Sequence, residues 1–312
     1  MNIFRNTKWG LGLVVIGLLI ATIGASKVRA QQPERLVLNV SPTVIELDAN
    51  RGNLVSGSFK VVNGSDVSVD LIATPKNFTA SDEEGGVDIT EQPTQYSLAS
   101  WINVSPETVE VPSRGSQVFE YTINVPADAE PGGHFGVIIV STDPQKVDLT
   151  GPSVVQEVGP LILVRVPGDT QEKASVVEFS ADNFKQSGPI ELITRVENQG
   201  NVHFKPQGKI EIKNMFGNTV TSIDLEERNV LPGTIRKLVN EWNPGGFTVG
   251  RYTANLTIVY GENNQIASAS TTFIIFPYKT ILPALLGLIV TIVLIVRNRS
   301  RIRKALSVLK NG

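Results

Sequence analysis

The stretch at residues 117–125, QVFEYTINV, decides the fold class of this chain. Its large apolar residues fall at every second position: Phe119, Tyr121, Ile123 and Val125. Successive side chains of a β-strand point to opposite faces of the sheet, so a period of two indicates a strand with one face in a core. We therefore expect these four side chains to face the interior and the residues between them to face outward.

Similar short runs, rich in β-branched residues and bounded by turn residues, continue in both directions. The predicted strands lie near residues 36–40, 43–47, 55–62, 67–73, 108–111, 117–125, 136–142, 158–166, 175–180, 190–197, 209–214, 219–225, 236–242, 251–260 and 268–276. Such a density of short strands is typical of immunoglobulin-like sandwiches. The predicted fold is all-β, with two immunoglobulin-like β-sandwich domains in tandem plus one C-terminal transmembrane α-helix.

The strand pattern lapses at residues 167–171, PGDTQ, which divides a first sandwich at 31–168 from a second at 169–277. Within the first, Asn63-Gly64 predicts a tight hairpin. Residues 76–100 are polar and rich in turn residues, which predicts a long loop. This loop leads into YSLASWI at 96–102, a segment apolar enough to pack back on the sandwich as a short helix or turn.

The predicted membrane segment lies near the C-terminus. Residues 281–296, ILPALLGLIVTIVLIV, are uncharged, and six Lys or Arg residues with no acid follow. Residues 278–297 therefore predict a helix through which the chain contacts a lipid bilayer. By the positive-inside rule the basic tail, 298–312, lies in the cytoplasm and everything before the helix lies outside.

The N-terminus has the features of an export signal. Arg5 and Lys8 precede an apolar run at residues 11–23, and VRA at 28–30 fits the small-x-small cleavage pattern. The sequence predicts a signal peptide at 1–30 that is cut after Ala30. An uncleaved N-terminal anchor is the alternative, and both interpretations export residues 31–278.

Charge and composition narrow the class of partner. The exported residues 31–278 carry 17 Lys and Arg against 30 Asp and Glu, a net charge of −13. So acidic a surface argues against nucleic acid or anionic lipid as the main partner. The chain has no cysteine, which excludes thiol nucleophiles, disulfides and Cys-based zinc sites.

Signals for catalysis are weak, and no cofactor is predicted. His134 and His203 are the two histidines and fall in different predicted domains. The exported part has no Gly-x-Ser-x-Gly elbow, Walker loop or His-Glu-x-x-His motif. His134 follows a Pro-Gly-Gly turn, which favours an exposed turn residue over a catalytic base. A wall-active hydrolase would need His134 and the acidic loop at residues 82–88 to form one site.

That acidic loop is a weak candidate for a calcium site. Asp82, Glu84 and Asp88 are hard oxygen ligands next to a Gly-Gly turn. Their spacing does not match the EF-hand pattern, so a solvated acidic loop is the alternative.

Several motifs together resemble a known family. They are Ser41-Pro42, Glu46-Leu47, Val61-Val62-Asn63, YSLASWI at 96–102, YTINVP at 121–126, AEPGGHFG at 129–136 and ENQGNVHFKPQG at 197–208. They are similar to the WxL-interacting surface proteins of Gram-positive bacteria. The resemblance implies a non-enzymatic cell-surface protein whose first domain binds peptidoglycan and whose second contacts matrix or partner proteins. No WxL partner is visible in one chain.

The ligand-binding role that the resemblance implies falls on Tyr96, Trp101, Tyr121, His134 and Phe135, which lie in the matching motifs. Aromatic rings stack on the apolar faces of sugars, so Tyr96, Trp101 and Phe135, with Phe78, are candidates for a sugar platform. The alternative is that Trp101 closes one end of the sandwich core.

The sequence thus predicts a single-pass, membrane-anchored bacterial surface protein that binds cell-wall polymer or another surface protein without catalysis. The alternative function is a membrane-tethered export or assembly chaperone that offers a sheet edge to strands of surface subunits.

Overall fold

The computed structural model describes residues 36–143, 155–245 and 248–299. The predicted signal peptide and all of the predicted tail beyond Arg299 lie outside the described residues. The described part is all-β, with immunoglobulin-like sandwiches followed by one apolar helix.

The first pair of sheets is built from residues 38–166. Its strands are β1 (Leu38–Ser41), β2 (Val44–Asp48), β3 (Leu54–Asn63), β4 (Val69–Ala80), β5 (Val87–Thr90), β6 (Ile102–Ser105), β7 (Thr108–Val111), β8 (Ser116–Asn124), β9 (Gly132–Thr142), β10 (Glu157–Val158) and β11 (Leu161–Val166). One sheet has the order β1-β3-β8-β6. The other has the order β2-β11-β9-β4-β5, with β10 beside β9 and β7 beside β4. Neighbouring strands are antiparallel except β2 and β11, which are parallel.

The alternation in β8 places its apolar face in the first core. Phe119 and Ile123 are fully buried, whereas Val118, the residue directly before Phe119, is 51% exposed. The Phe119 ring stacks on Phe59 of β3 with 5.3 Å between ring centroids. Aromatic burial of this kind contributes most to a sandwich core, because each ring removes a large apolar area from water.

The second pair of sheets follows after a link at residues 167–173. Its strands are β12 (Ala174–Ala181), β13 (Phe184–Lys185), β14 (Ile190–Asn198), β15 (Gln207–Asn214), β16 (Thr219–Asp224), β17 (Ile235–Trp242), β18 (Gly250–Tyr260) and β19 (Gln265–Ile275). The sheet orders are β12-β14-β17 and β13-β19-β18-β15-β16. Trp242 is buried in this core, 5.2 Å from Tyr252 and 6.0 Å from Phe273 between ring centroids.

The helix α1 (Tyr278–Arg297) begins three residues after β19 ends. Its 20 residues span about 30 Å at 1.5 Å per residue, the thickness of a bilayer core. None of its residues is buried against the sandwiches, and it is long and apolar enough to cross a membrane. The one hydroxyl in its apolar stretch, that of Thr291, donates a hydrogen bond to the Gly287 carbonyl at 2.8 Å, which satisfies it within the helix.

The predicted tight hairpin at Asn63-Gly64 is wrong. β3 and β4 belong to different sheets, and residues 64–68 carry the chain from one to the other. The Asn63 side chain is fully buried and holds this crossing: its Nδ2 donates to the Val67 and Pro112 carbonyls at 2.8 and 3.0 Å, and its Oδ1 accepts from the Ser65 N–H at 2.9 Å.

The long loop predicted at residues 76–100 is also partly wrong. β4 continues to Ala80 and pairs with β5, so the glycine-rich segment between them is the turn of a hairpin. β5 has four residues, none of them buried, and lies at the edge of its sheet, so its alternation is too short to mark a half-buried strand. The expected short helix near the end of this stretch is present as one 3₁₀ turn at Ala99–Trp101.

Candidate functional site

Of the five predicted ligand-binding side chains, three are buried. Tyr121, His134 and Phe135 are 3–4% exposed, while Tyr96 and Trp101 are partly exposed. A buried ring cannot offer its face to a sugar, so an aromatic platform would consist of Tyr96 and Trp101. Trp101 also packs against the first core, as the alternative interpretation expects.

His134 is not the exposed turn residue that its Pro-Gly-Gly context suggested. β9 already begins at Gly132, so His134 lies inside a strand, and the Trp101 ring covers it with 4.4 Å between centroids. Its Nε2 lies 2.9 Å from the Glu130 carbonyl oxygen. Burial beneath an indole makes this imidazole part of the packing.

The neighbouring Phe135 connects the two sandwiches. Its ring contacts Tyr96 and Phe78 of the first domain, at 5.8 and 6.2 Å between centroids, and His203 of the second at 5.5 Å. Burial lowers the pKa of His203 to about 4, and its Nδ1 has no hydrogen-bond partner within the described residues. The two histidines, far apart in sequence, thus lie near the same junction.

The acidic loop joins the two domains. The Glu83 carboxylate accepts two hydrogen bonds from the Arg195 guanidinium of β14, at 2.6 and 2.7 Å, and this pair holds the pKa of Glu83 below its usual range. The Glu84 carboxylate pairs with Lys237 of β17 at 3.2 Å, and the Lys237 N–H donates to the Glu83 carbonyl at 2.8 Å.

The three weak candidates for metal ligands, Asp82, Glu84 and Asp88, have different surroundings. Asp82 Oδ1 accepts from the N–H groups of Gly86 and Gly85, both at 2.7 Å, and these bonds lower its pKa. Glu84 faces Lys237, and Asp88 lies in β5 opposite Thr79. Within the described residues no group of three or more potential ligands could hold a metal ion.

A second connection runs through the turn after β14. The Asn201 carbonyl accepts from the Gly133 N–H at 2.8 Å, and its side-chain Oδ1 accepts from the Gln171 N–H at 2.7 Å. Gly132 has φ +130°, and a Cβ there would lie 2.6 Å from the Asn201 carbonyl oxygen. Only glycine allows the two domains to approach this closely at that point.

Between these connections lies a cleft of about 360 Å³. Its lining includes apolar Val44, Phe78, Leu163 and Leu231 from both domains, together with Arg236. Burial lowers the pKa of Arg236. Sequence reasoning missed this cleft because its lining residues come from five separate segments of the chain.

A free strand edge lies on the first domain. Within the described residues β10 pairs with β9 only, since β2 pairs with β11 from Leu161 onward and does not reach β10. The Gln156 N–H and C=O both bond to Thr142 of β9. Since backbone groups of successive strand residues point to alternate sides, the Glu157 N–H and C=O point away from β9.

Apolar side chains flank that edge. Val155 is 45% exposed beside it, and Val158 packs partly against the first core. Across the gap, β1 forms the edge of the opposite sheet. We define this surface, Val155–Pro160 with the adjacent β1, as the β10 edge. Unpaired backbone groups beside exposed apolar side chains are what an added strand requires.

Comparisons with known proteins find similar solved structures but do not identify a family for this chain. No family model and no curated protein matches the chain. Similar solved structures include the class 5 fimbriae chaperone CfaA, at 13% identity and a TM-score of 0.38, covering 77% of this chain and 100% of that one. Another is a Salmonella enterica SafA pilin in complex with the SafB chaperone, at 11% identity and a TM-score of 0.38, covering 78% of this chain and 97% of that one.

A smaller neighbour is the PapD-like domain 7 of human CEP192, at 16% identity and a TM-score of 0.29, covering 42% of this chain and 84% of that one. Identities and TM-scores this low carry no argument about the function of this chain. The described residues therefore define a class by themselves: tandem immunoglobulin-like sandwiches, followed by an apolar helix.

Proposed function

We propose that this is a membrane-anchored, non-catalytic protein whose ectodomain binds an extended segment of another exported protein at the β10 edge. The chain would be single-pass, with α1 in the bilayer, the sandwiches outside the cell and the basic tail in the cytoplasm. A membrane-tethered export or assembly chaperone is the form of this function in which the bound segment belongs to a surface subunit.

The unpaired side of β10 carries this proposal. A partner strand there would gain main-chain hydrogen bonds from Glu157 and apolar contacts from Val155, the combination by which sandwiches bind extended peptides. A covering strand is one of the ways in which proteins protect a sheet edge. Here β2 covers β11 but leaves β10 uncovered among the described residues.

The test places a photo-crosslinking amino acid at Val155 in the full-length protein in its own cells. We expect a discrete crosslink to an exported protein. Glu157→Pro removes the outward N–H donor and should weaken that crosslink about tenfold, whereas Glu157→Ala keeps the N–H and should leave it unchanged. A crosslink that survives Glu157→Pro would refute strand addition at this edge.

A second candidate function is binding of a peptidoglycan-like wall polymer, in keeping with the resemblance to WxL-interacting proteins. Its support is a small polar cleft of about 150 Å³ that Tyr96 lines together with Gln95, Glu130 and Asn201. Purified peptidoglycan should then retain the protein, and Tyr96→Ala should abolish retention while circular dichroism stays unchanged. Equal retention of the two proteins would eliminate this candidate.

A further inference from the structure

The turn between β15 and β16 exposes two large apolar side chains. Met215 is 66% exposed and Phe216 79% exposed. Their exposure is built into the turn: the Asn214 side-chain Oδ1 accepts from the N–H groups of Phe216 and Asn218, at 3.0 and 3.1 Å, and Gly217 adopts φ +83°. We call residues 214–218 the apolar turn.

Strand register places the apolar turn at the same end of the second domain as the start of α1. Asn214 lies opposite Tyr252 of β18, and Tyr252 lies opposite Phe273 of β19. Two residues further along these strands, Gly250 lies opposite Ile275. The tip at Met215 and Phe216 is therefore level with the last residues of β19.

The link from β19 to α1 is too short to move that end away from a membrane. Tyr278 follows Ile275 by three residues, which span at most about 10 Å when extended. The apolar turn lies two strands from β19, about 10 Å sideways at the usual strand spacing. A bilayer that contains α1 would thus face the apolar turn directly.

Other apolar and basic side chains share this end. Phe184 is 49% exposed, and its ring lies 6.4 Å from Tyr278 between centroids. Arg251, next to Gly250, and Lys279 are exposed cations at the same level. Aromatic rings flanked by cations match the interfacial layer of a bilayer, where rings sit at the head-group level and cations attract anionic lipid.

We propose that the apolar turn inserts into the outer interfacial layer of the bilayer and forms, with α1, a second membrane contact that fixes the tilt of the second domain. This inference rests on the proposed insertion of α1 and is independent of the β10 edge. Met215 and Phe216 would contact lipid acyl chains near the head groups. Phe184 and Tyr278 would lie beside them on the other side of the helix.

The experiment uses the full-length protein, which has no native cysteine, in vesicles of phosphatidylcholine with phosphatidylglycerol. A fluorescent label is attached at Phe216→Cys, at Ile266→Cys or at Leu288→Cys, and quenching by lipids with a spin label near the head group or deep in the chain is recorded. Ile266 is a matched control, because it is 70% exposed but lies at the opposite end of β19.

We expect the label at 216 to be quenched by shallow spin labels at least about threefold more than the label at 266. Deep spin labels should quench the label at 288. Quenching at 288 without any excess at 216 would overturn the apolar-turn proposal and leave the anchor intact. Absence of quenching at 288 would overturn the anchor and the apolar-turn contact together.

A second copy of the chain is the competing occupant of the turn. Energy transfer between labels at 216 on different molecules, without quenching by lipid, would assign the turn to self-association and overturn the proposal. The double variant Met215→Ser with Phe216→Ser should lower the shallow quenching of a label at Phe184→Cys about twofold if the turn holds this end at the surface. The same label should be unaffected by Ile266→Ser.

Discussion

The turn after β3 and the turn after β14 are the same device in two settings. Asn198 is fully buried like Asn63, its Nδ2 donates to the Val202 and Val230 carbonyls at 2.8 and 2.9 Å, and its Oδ1 accepts from the Gly200 N–H at 2.9 Å. In each sandwich a buried amide four residues before a valine holds the crossing between sheets.

The two turns differ in what the residues after the buried amide contact. The Ser65 hydroxyl of the first turn accepts from the Val37 N–H at 2.8 Å and fixes the start of the described chain. At the second turn, Asn201 faces the first domain and holds the junction. The comparison teaches that the buried amide determines the shape of the turn, whereas the residues that follow the amide determine what the turn contacts.

The largest effect should come from removing either amide. Asn63→Ala or Asn198→Ala removes all the hydrogen bonds of a buried amide, including those to the Val67 or Val202 carbonyl and from the Ser65 or Gly200 N–H. We expect each substitution to lower the free energy of unfolding by about 3 kcal/mol. Denaturant unfolding of the full-length protein in detergent would measure this, with Trp101 reporting on the first domain and Trp242 on the second. A loss below about 1 kcal/mol in either domain would show that the amides are not equivalent.

The next effect is a pH dependence that the second turn alone should possess. His203 follows Val202, and Ser68 holds the corresponding place after Val67. Because burial lowers the folded pKa of His203 to about 4, below its unfolded value of about 6.5, the folded state favours the neutral imidazole. Stability is full above pH 6.5 and should fall by about 2 kcal/mol as the pH drops toward 4.

The variant His203→Ser gives the second turn the residue type that the first turn has at this place. It should remove the dependence of stability on pH. Unfolding of the variant and of the parent between pH 4 and pH 7 gives the comparison. A slope that persists in His203→Ser would assign the acid sensitivity to other groups.

A smaller effect should distinguish Asn201 from Asp66, which are the third residues after the two buried amides. Asn201→Ala removes hydrogen bonds to Gln171 and Asp169 and should cost about 1 kcal/mol of domain coupling. Asp66 holds the corresponding place in the first turn and pairs with Arg114 in solvent, so Asp66→Ala should change stability by less than about 0.5 kcal/mol. The measurement is whether the Trp101 and Trp242 transitions separate in Asn201→Ala but coincide in Asp66→Ala.

The smallest expected effect concerns the acidic loop, the other connection across the junction. The Arg195 hydrogen bonds lower the pKa of Glu83, so their contribution is present above the unfolded carboxyl value of about 4.3 and is lost as the pH falls through the lower folded value. Glu83→Gln should abolish that acid-side loss and reduce the effect of salt on domain coupling. Identical salt dependence in parent and variant would show that the pair is fully screened.

Much of the fold could be predicted from alternation alone. Strands with one apolar face, such as β8 and β18, have a local signal because one side packs against a core. β5 and β13 lacked that signal, because they are short edge strands held mainly by backbone pairing. The Asn63-Gly64 dipeptide misled because its turn propensity does not reveal that the amide is buried or that the chain changes sheets.

Less of the candidate site could be predicted. The strand expected at residues 158–166 is interrupted at Gly159-Pro160, where a Cβ on Gly159 would lie 2.1 Å from the Ile138 carbonyl oxygen. That dipeptide was a usable signal for the end of a paired strand. The uncovered side of β10, by contrast, depends on where β2 stops, and β2 is more than a hundred residues away in sequence.

The parallel pairing of β2 with β11 has a consequence for the export that the proposed function requires. Val44 and its partner Leu161 are 117 residues apart, so a chain threaded N-terminus first through a translocation channel presents β2 long before β11 appears. The first sandwich cannot close until that late strand has emerged, and contacts so distant in sequence form slowly. During that interval the nascent β2 exposes an open side to proteases and to stray strands outside the channel.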